Sequence, residues 1–404
     1  MKSTIIVEKK QEQSTTSILV SAVLIVLLVG SVYISQLIFQ EISTSFNIDI
    51  LNARSIFSLS CFCYAISFFI YGPLSDKVST RLLVAFGSFG TIVCLGIASF
   101  VQSFNIYLVI MSLIGFFAAS VPAALFAYSA KNIPNEKLPQ AMGIMISAST
   151  VGIIFSRSIV AMMTDYWSWQ IAFLMYASLI VCACLFIPIG IKKTNNNSFH
   201  TSITSTYLTA AKLLFNQTVL IFLIVGFLLF FVYLGLFSLL TIYLKGSPFY
   251  LSSTILGWLN FAGISAVIGS IITSKLSQFI TKGNLLIICL VLVSVSVVTI
   301  GYSTNLLCIA LGIFGLFLFV FGLQPIVISL LNQIVPVNSR GAISSLYLLS
   351  CLAGGSIGTY LLGIFYENFD WDGVIFTCII LTIINIAITL LGIKLLKKQQ
   401  KNQN

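Results

Sequence analysis

The sequence predicts an all-α membrane protein: twelve transmembrane helices arranged as two pseudo-symmetric six-helix bundles. Three observations predict it. Hydrophobic residues make up 58% of the 404-residue chain and charged residues 7%, against roughly 25% charged in a soluble domain. Mean hydropathy is +1.08, and twelve stretches reach the roughly 20 apolar residues that a bilayer crossing needs. Shifted by half its length, the chain also lands on itself: Leu74-Ser75 on Leu276-Ser277, Pro134 on Pro336, Gly152 on Gly354, Asp165 on Glu367 and Trp169 on Trp371. One offset held across five landmarks means two copies of a unit running in the same direction.

The first copy is expected to cross at 18–40, 54–75, 81–101, 106–130, 141–163 and 169–190, and the second at 217–243, 253–275, 284–303, 306–330, 341–364 and 372–396. An N-terminal bundle over 1–190 is thus joined to a C-terminal bundle over 217–404 by a linker over 191–216. Seventeen of the 20 basic residues precede the first span, sit in alternate loops or follow the last span; only Arg54 and Lys245 face the other side. Positive residues stay inside, so both termini are expected in the cytoplasm. The net charge of +10 then reads as a topology signal and an attraction to anionic inner-leaflet lipid, with no nucleic-acid partner. All nine cysteines fall within spans, where cysteine packs as a small hydrophobe. Cys61/Cys63 and Cys182/Cys184 are two apart and point to different sides of a helix, so no metal site or other cofactor is expected.

Taken in order, the first apolar run has full span length and is expected to remain as a span rather than be removed as a signal. Within it Tyr33 and Gln36 lie three apart, hence on one helix face, and are candidate cavity-wall residues. The first inner loop reads Gly72-Pro73-Leu74-Ser75-Asp76-Lys77-Val78-Ser79-Thr80-Arg81. Gly72 is expected to let two helices approach closely, as small residues do in lipid. Asp76 suits the positive N-terminal end of a neighbouring helix, a contact of up to ~1 kcal/mol when exposed. This loop closely resembles the signature of the major facilitator superfamily, with Ser79 and Thr80 where the family has glycine and arginine. The resemblance implies that Gly72, Asp76, Lys77 and Arg81 latch the cytoplasmic side against the eleventh helix, which opens at Arg340-Gly341. In the second copy the loop has decayed to Ser274-Lys275-Leu276-Ser277-Gln278 and has lost the carboxylate.

The fourth span carries Pro122; aligned on Gly115, it has Met111 and Ile114 where many proton-coupled members of that family carry arginine and glutamine. The fifth runs Gly143, Gly152, Ser156-Arg157 and Val160-Ala161. Its two glycines, expected to pack helices, resemble the spacing in twelve-span drug:proton antiporters, although Ser156-Arg157 and Val160-Ala161 replace that motif's later glycines and proline. Arg157 is the one ionised group well inside an apolar span, a placement that costs ~2.5–3.5 kcal/mol on insertion scales and usually marks a cavity. Its guanidinium offers a planar donor fork suited to carboxylate or phosphate. Two readings stay open: it faces a central cavity and pairs with an anion, or it snorkels over the roughly 9 Å that separate it from the outer boundary.

The linker opens Lys192-Lys193-Thr194-Asn195-Asn196-Asn197 and contains His200, read as a solvated loop residue, then apolar side chains at helical spacing up to Phe215 that suit an in-plane amphipathic segment. Trp258 and Asn260 in the eighth span and Gln324-Pro325 in the tenth add polar candidates for a ligand site. Pro122 and Pro325 lie at nearly matching depths, and paired helix interruptions point to a transporter's binding site. Tyr166, Trp167 and Trp169, with Tyr366, Phe369 and Trp371, are expected to anchor the outer membrane interface.

Parallel repeats of membrane halves belong to secondary transporters that bind substrate between the halves. The family resemblance covers essentially the whole chain and implies alternating access. The expected function is export of a small organic molecule, with Arg157 favouring anions such as carboxylate siderophores, across a bacterial cytoplasmic membrane. The resemblance further implies a monomer. Protons are the expected coupling ion, but no aspartate or glutamate lies deep in any span, so coupling through Glu41 or Asp49, coupling through the substrate's own ionisation, and no coupling all stay open. Uptake of an anionic nutrient and a transport-dead sensor are the alternatives the residues leave open. A membrane-embedded enzyme is disfavoured, since the spans hold no histidine, paired carboxylates or H-E-x-x-H spacing.

Overall fold

The computed structural model describes residues 2–75, 78–132, 138–191, 214–335 and 340–403. Among these the structure is helical throughout. Ten helices are long and apolar enough to cross a membrane, and one of them, 346–398, runs through two spans. Its break is Asp370, at φ 54°, ψ −163°, inside the helix Arg340–Gln403. The shorter apolar helix Thr16–Ser31 completes the twelve crossings.

Short connections force successive spans to run antiparallel, which gives the molecule two ends. One, the aromatic end, carries Tyr166, Trp167, Trp169, Tyr366, Phe369 and Trp371; the other, the basic end, carries Arg81, Lys275, Lys282 and Lys394. In the first half the first span, Lys2–Ser31, packs on the fifth, Leu138–Tyr166. The second, Ser55–Leu74, packs on the fourth, Phe104–Asn132, and the third, Thr80–Ala98, on the fourth and on the sixth, Trp169–Cys184. The second half repeats the scheme, with the seventh span, Gln217–Lys245, against the eleventh and the eighth, Ser253–Leu276, against the tenth, Leu306–Ile334. Leu82, Phe86, Phe89 and Val93 on the third span, and Ile288, Val291 and Val295 on the ninth, Lys282–Tyr302, point outward. They form the lipid face.

Glycine sets the closest helix approaches. A methyl group at Gly152 would lie 2.3 Å from the Val26 carbonyl, and one at Gly354 would lie 2.1 Å from that of Phe227. These are repeat-related contacts, between spans five and one and between eleven and seven. Gly115 against Ser60 (2.1 Å) and Gly269 against Leu318 (2.0 Å) do the same within each half. Gly72 does not. Nothing lies within 4 Å of a methyl group there; instead its carbonyl accepts the Ser75 hydroxyl at 2.6 Å, so it serves the turn rather than a helix crossing. Gly143 belongs to the fifth helix, and its surroundings fall outside the described residues.

The first span departs from its expected 18–40. The α-helix stops at Ser31, residues 32–37 form turns, and a separate helix, Phe39–Phe46, follows. Tyr33 and Gln36 are therefore held by three-residue turns, with Tyr33 N bonded to Gly30 O (2.8 Å) and Gln36 N to Tyr33 O (3.1 Å), not by a regular helix. Irregular backbone at membrane depth is tolerated where protein buries it or a cavity adjoins it, and both side chains are buried. Pro122 and Pro325 sit inside uninterrupted helices of 29 residues each.

The aromatic girdle divides in two. Tyr166, Trp167 and Phe369 are exposed, as interface anchors should be. Trp169 and Trp371 are buried: the first donates to Ser45 Oγ (2.8 Å), and the second donates to the Gly301 carbonyl (3.0 Å) and stacks on Tyr243 at 4.2 Å. An indole buried with its N–H satisfied is a packing element.

Candidate functional site

Hydrogen bonds between the halves gather towards the aromatic end. Glu41 accepts both the Lys245 ammonium and the Ser253 hydroxyl, and Lys245 also donates to Ser253 Oγ (2.6 Å). Asp165 accepts the Thr254 amide (2.6 Å) at the start of the eighth span, where a carboxylate suits the helix dipole. Deeper in, Ser58 donates to the Ser356 carbonyl (2.8 Å) and Asn260 Nδ2 to the Ile154 carbonyl (2.9 Å). These last two bonds are images of one another under the half-chain shift. Gln36 Nε2 donates to Ser238 Oγ (2.7 Å), a pair separated by 202 residues, hence a residue and its own repeat mate.

Arg157 lies beneath this seal. It is 0% exposed, which rules out snorkelling. Its guanidinium carbon sits 5.0 Å from the centroid of the Tyr33 ring and 4.7 Å from that of Phe237, one ring from each half. Tyr233 and Cys61 are within electrostatic reach. The Tyr233 hydroxyl lies near enough to interact with the guanidinium, but none of the three guanidinium nitrogens makes a full hydrogen bond to it or to any other described group. Desolvated cation–π contacts are worth about 2 kcal/mol or more, comparable to the cost of placing the cation in a span. The rings thus offset burial of the charge and leave its N–H donors unused. A buried charge without a counter-ion is the arrangement most costly to keep, and these donors suit an oxyanion.

The remaining sequence candidates divide. Asn260 is buried and its amide nitrogen bridges to Ile154 O and Ser158 Oγ (3.0 Å), leaving Oδ1 unpartnered; Gln36 likewise keeps only Oε1 free. Both sit in the seam with Arg157. Trp258 does not: it is 65% exposed, beside the exposed Ile255. Two residues apart on a helix means nearly opposite sides, so Trp258 and Asn260 never shared a wall. Gln324 is half-buried, with no described contact to Arg157, though it follows Phe317 and Phe321 along one face of the tenth span. Phe237 also lines a crevice of about 10 Å³, room for about one water molecule, with Leu37, Leu240, Leu256, Asn260 and Ile313. That is smaller than the roughly 300 Å³ at which small-molecule pockets begin. Asp76 and Lys77 lie outside the described residues, as do the linker from 192 to 213 and the side chain of Arg340; Arg81 is half-buried at the start of the third span.

Sequence reasoning missed Arg54, read there as a loop cation. It is 4% exposed, and its Nη1 donates to the Thr359 carbonyl at 2.9 Å across the halves. Its guanidinium lies on the bare backbone of Gly363, where a methyl group would come within 1.7 Å of both terminal nitrogens. The signal available was an arginine opposite a span-end glycine. Gly363→Ala is expected to fold but to push Arg54 off Thr359, losing a charged hydrogen bond of about 1.5–3 kcal/mol. Thermal unfolding of Gly363→Ala, Arg54→Ala and the double variant checks this: the double should be no less stable than Arg54→Ala alone. Additive losses would refute the contact.

A family model described as Major Facilitator Superfamily matches residues 19–359 and 249–404. The chain belongs to the major facilitator superfamily. It is 23% identical over 354 residues to the MFS-type transporter YybF of Bacillus subtilis, covering 85% of each chain. It is 27% identical over 347 residues to the inner membrane transport protein YnfM of Escherichia coli, covering 85% of this chain and 82% of the other. Among solved structures it resembles a bacterial homolog of the human lysosomal transporter Spinster, in an inward-facing and unoccupied conformation, with a TM-score of 0.76 at 12% identity over 96% and 98% of the chains. A mutant of the nucleoside transporter NupG gives the same TM-score at 15% identity over 94% and 99%. This member of the superfamily is therefore a multi-pass membrane transporter with the superfamily's fold, and the latch expected at Asp76 belongs to a loop that the described residues flank on both sides.

Proposed function

We propose that this transporter exports a small organic anion across the bacterial cytoplasmic membrane by alternating access, with Arg157 as the anion-binding group. The single observation that carries the reading is the buried, ring-flanked guanidinium of Arg157 with no hydrogen-bond partner, at the seam of the two halves. An interaction at that seam can differ between two states, which is what a transported ligand must exploit. The basic residues put the aromatic end outside. The sealed state described here is then inward-facing, the state named for the Spinster homolog. The glycine spacing of the fifth span favours export, and protons are the coupling ion, with Glu41 as the carboxylate that ties both halves together at the outer end. The protein works as a monomer with termini in the cytoplasm; the N-terminal bundle, linker and C-terminal bundle follow the sequence boundaries.

The test is flux of radiolabelled carboxylates and phosphates in inverted and right-side-out membrane vesicles. Accumulation in inverted vesicles, lost in Arg157→Leu and partly kept in Arg157→Lys, is the expected result. Accumulation in right-side-out vesicles alone would make the protein an importer. Wild-type rates in both variants would remove Arg157 from the mechanism.

A further inference from the structure

The surroundings of Arg157 select for shape as well as charge. The geometry points to a planar aromatic acid bearing a single negative charge as the substrate, rather than a carboxylate-rich chelator; this rests on the anion reading above and narrows it.

The first argument is charge count. Arg157 is the one cation in the seam with free donors throughout its guanidinium. The other cations between the halves are engaged among the described residues: Arg54 donates to Thr359 O, and Lys245 is held by Glu41 and Ser253. The other unpartnered seam atoms on Gln36 and Asn260 are the carbonyl oxygens Oε1 and Oδ1, which accept and do not donate. A second carboxylate on the ligand would meet no further free cation among the described seam residues, only the Tyr233 hydroxyl, acceptors and rings, and burying its charge there would be unfavourable. One carboxylate exhausts the cation.

The second argument is the wall. Beyond Phe237, Phe317 packs edge-on to it at 5.5 Å and to Tyr233 at 5.1 Å, and Phe321 lies 13° from parallel to Phe317 at 6.1 Å. A carboxylate that docks through both oxygens lies in the guanidinium plane. Whatever it is attached to meets the ring-lined seam formed by Tyr33 of one half and Phe237 of the other. A flat ring fits such a seam and finds ring partners on entering it; a branched saturated body must part the halves further and gains no ring–ring contact. Tyr233 Oη, buried and unpartnered, offers a hydroxyl donor within reach of Arg157.

Equilibrium binding to the purified full-length protein tests the class, using benzoate and 2-naphthoate against cyclohexanecarboxylate, citrate and benzamide. The aromatic monoacids should bind about two- to tenfold tighter than the saturated acid, the size of a ring–ring contribution. Benzamide and citrate should bind no better than the saturated acid. Phe237→Leu should bring the aromatic-to-saturated ratio close to one, and Arg157→Leu should remove binding of every acid. If citrate or cyclohexanecarboxylate binds as tightly as benzoate, and does so only with Arg157 present, the substrate class is wrong while the anion site stands. If no acid shows Arg157-dependent binding, both fail.

Discussion

Replacing Gly152 with valine should abolish folded protein in the membrane, and replacing Gly354 should do the same. A Cβ at Gly152 meets the carbonyl oxygen, carbon and Cα of Val26 at 2.3–2.9 Å, all backbone atoms that have no rotamer to escape into. Overpacking in a well-packed core costs about 1–3 kcal/mol when side chains can shift; here the helix axes must separate, and the cost rises beyond that range. Even alanine at 152 should lower the unfolding temperature. Alanine at Gly72 or Gly96, where nothing lies within 4 Å, should be neutral or stabilising by up to ~1 kcal/mol through helix propensity. Size-exclusion profiles and thermal unfolding of the five variants provide the comparison. An unchanged unfolding temperature for Gly152→Ala would mean that spans one and five do not approach as described.

Lys245→Ala should spring the aromatic end open. The Lys245–Glu41 pair has side-chain exposures of 10% and 26%, between the surface case worth 0–1 kcal/mol and the buried case where losing one partner costs about 3–5. Removal of Lys245 also leaves Glu41 facing Ser253 alone, and Glu41 Oε2 is already buried without a partner. A shift of about 1.5–3 kcal/mol towards the open state corresponds to a change of roughly ten- to a hundredfold in its population. In a background without the native cysteines, Ser58→Cys should react faster with a membrane-impermeant maleimide by that factor when Lys245 is alanine. Glu41→Gln, which keeps a hydrogen bond to Ser253, should give a smaller increase. Equal labelling in all three backgrounds would show that this ion pair does not hold the ends together.

Much of this architecture was legible because lipid imposes simple rules. Length and apolarity placed the spans, the half-chain shift placed the repeat, and Gly152 and Arg157 stood out as residues whose types conflict with an ordinary apolar helix. Direction was harder. In a membrane the face turned to lipid is as apolar as the face turned to protein, so nothing local told Trp258, which looks outward, from Asn260, which looks in. Residues 32–37 have apolar character and no proline or glycine, and Gly30-Ser31 was the one break signal at the end of the first helix, easily passed over inside an apolar run. Trp169 and Trp371 share the composition of membrane anchors, and only their buried partners Ser45 and Gly301 distinguish them. The bridges made by Arg54 and Lys245 span 305 and 204 residues, and no periodicity encodes such pairings.

The mirrored bonds of Ser58 with Ser356 and Asn260 with Ile154 have an ancestral consequence. Contacts that survive exchange of an interface's two sides are those that identical subunits make in a twofold dimer. A half-length progenitor could have closed on a copy of itself through this same pair of helices before the two genes fused. Fusion freed each copy to diverge, and the repeat mate of Arg157 is Thr359, which carries no charge. The lone cation is thus a product of broken symmetry: a self-paired ancestor with arginine at this position would have buried two, and one chain with two unequal halves needs to accommodate only one.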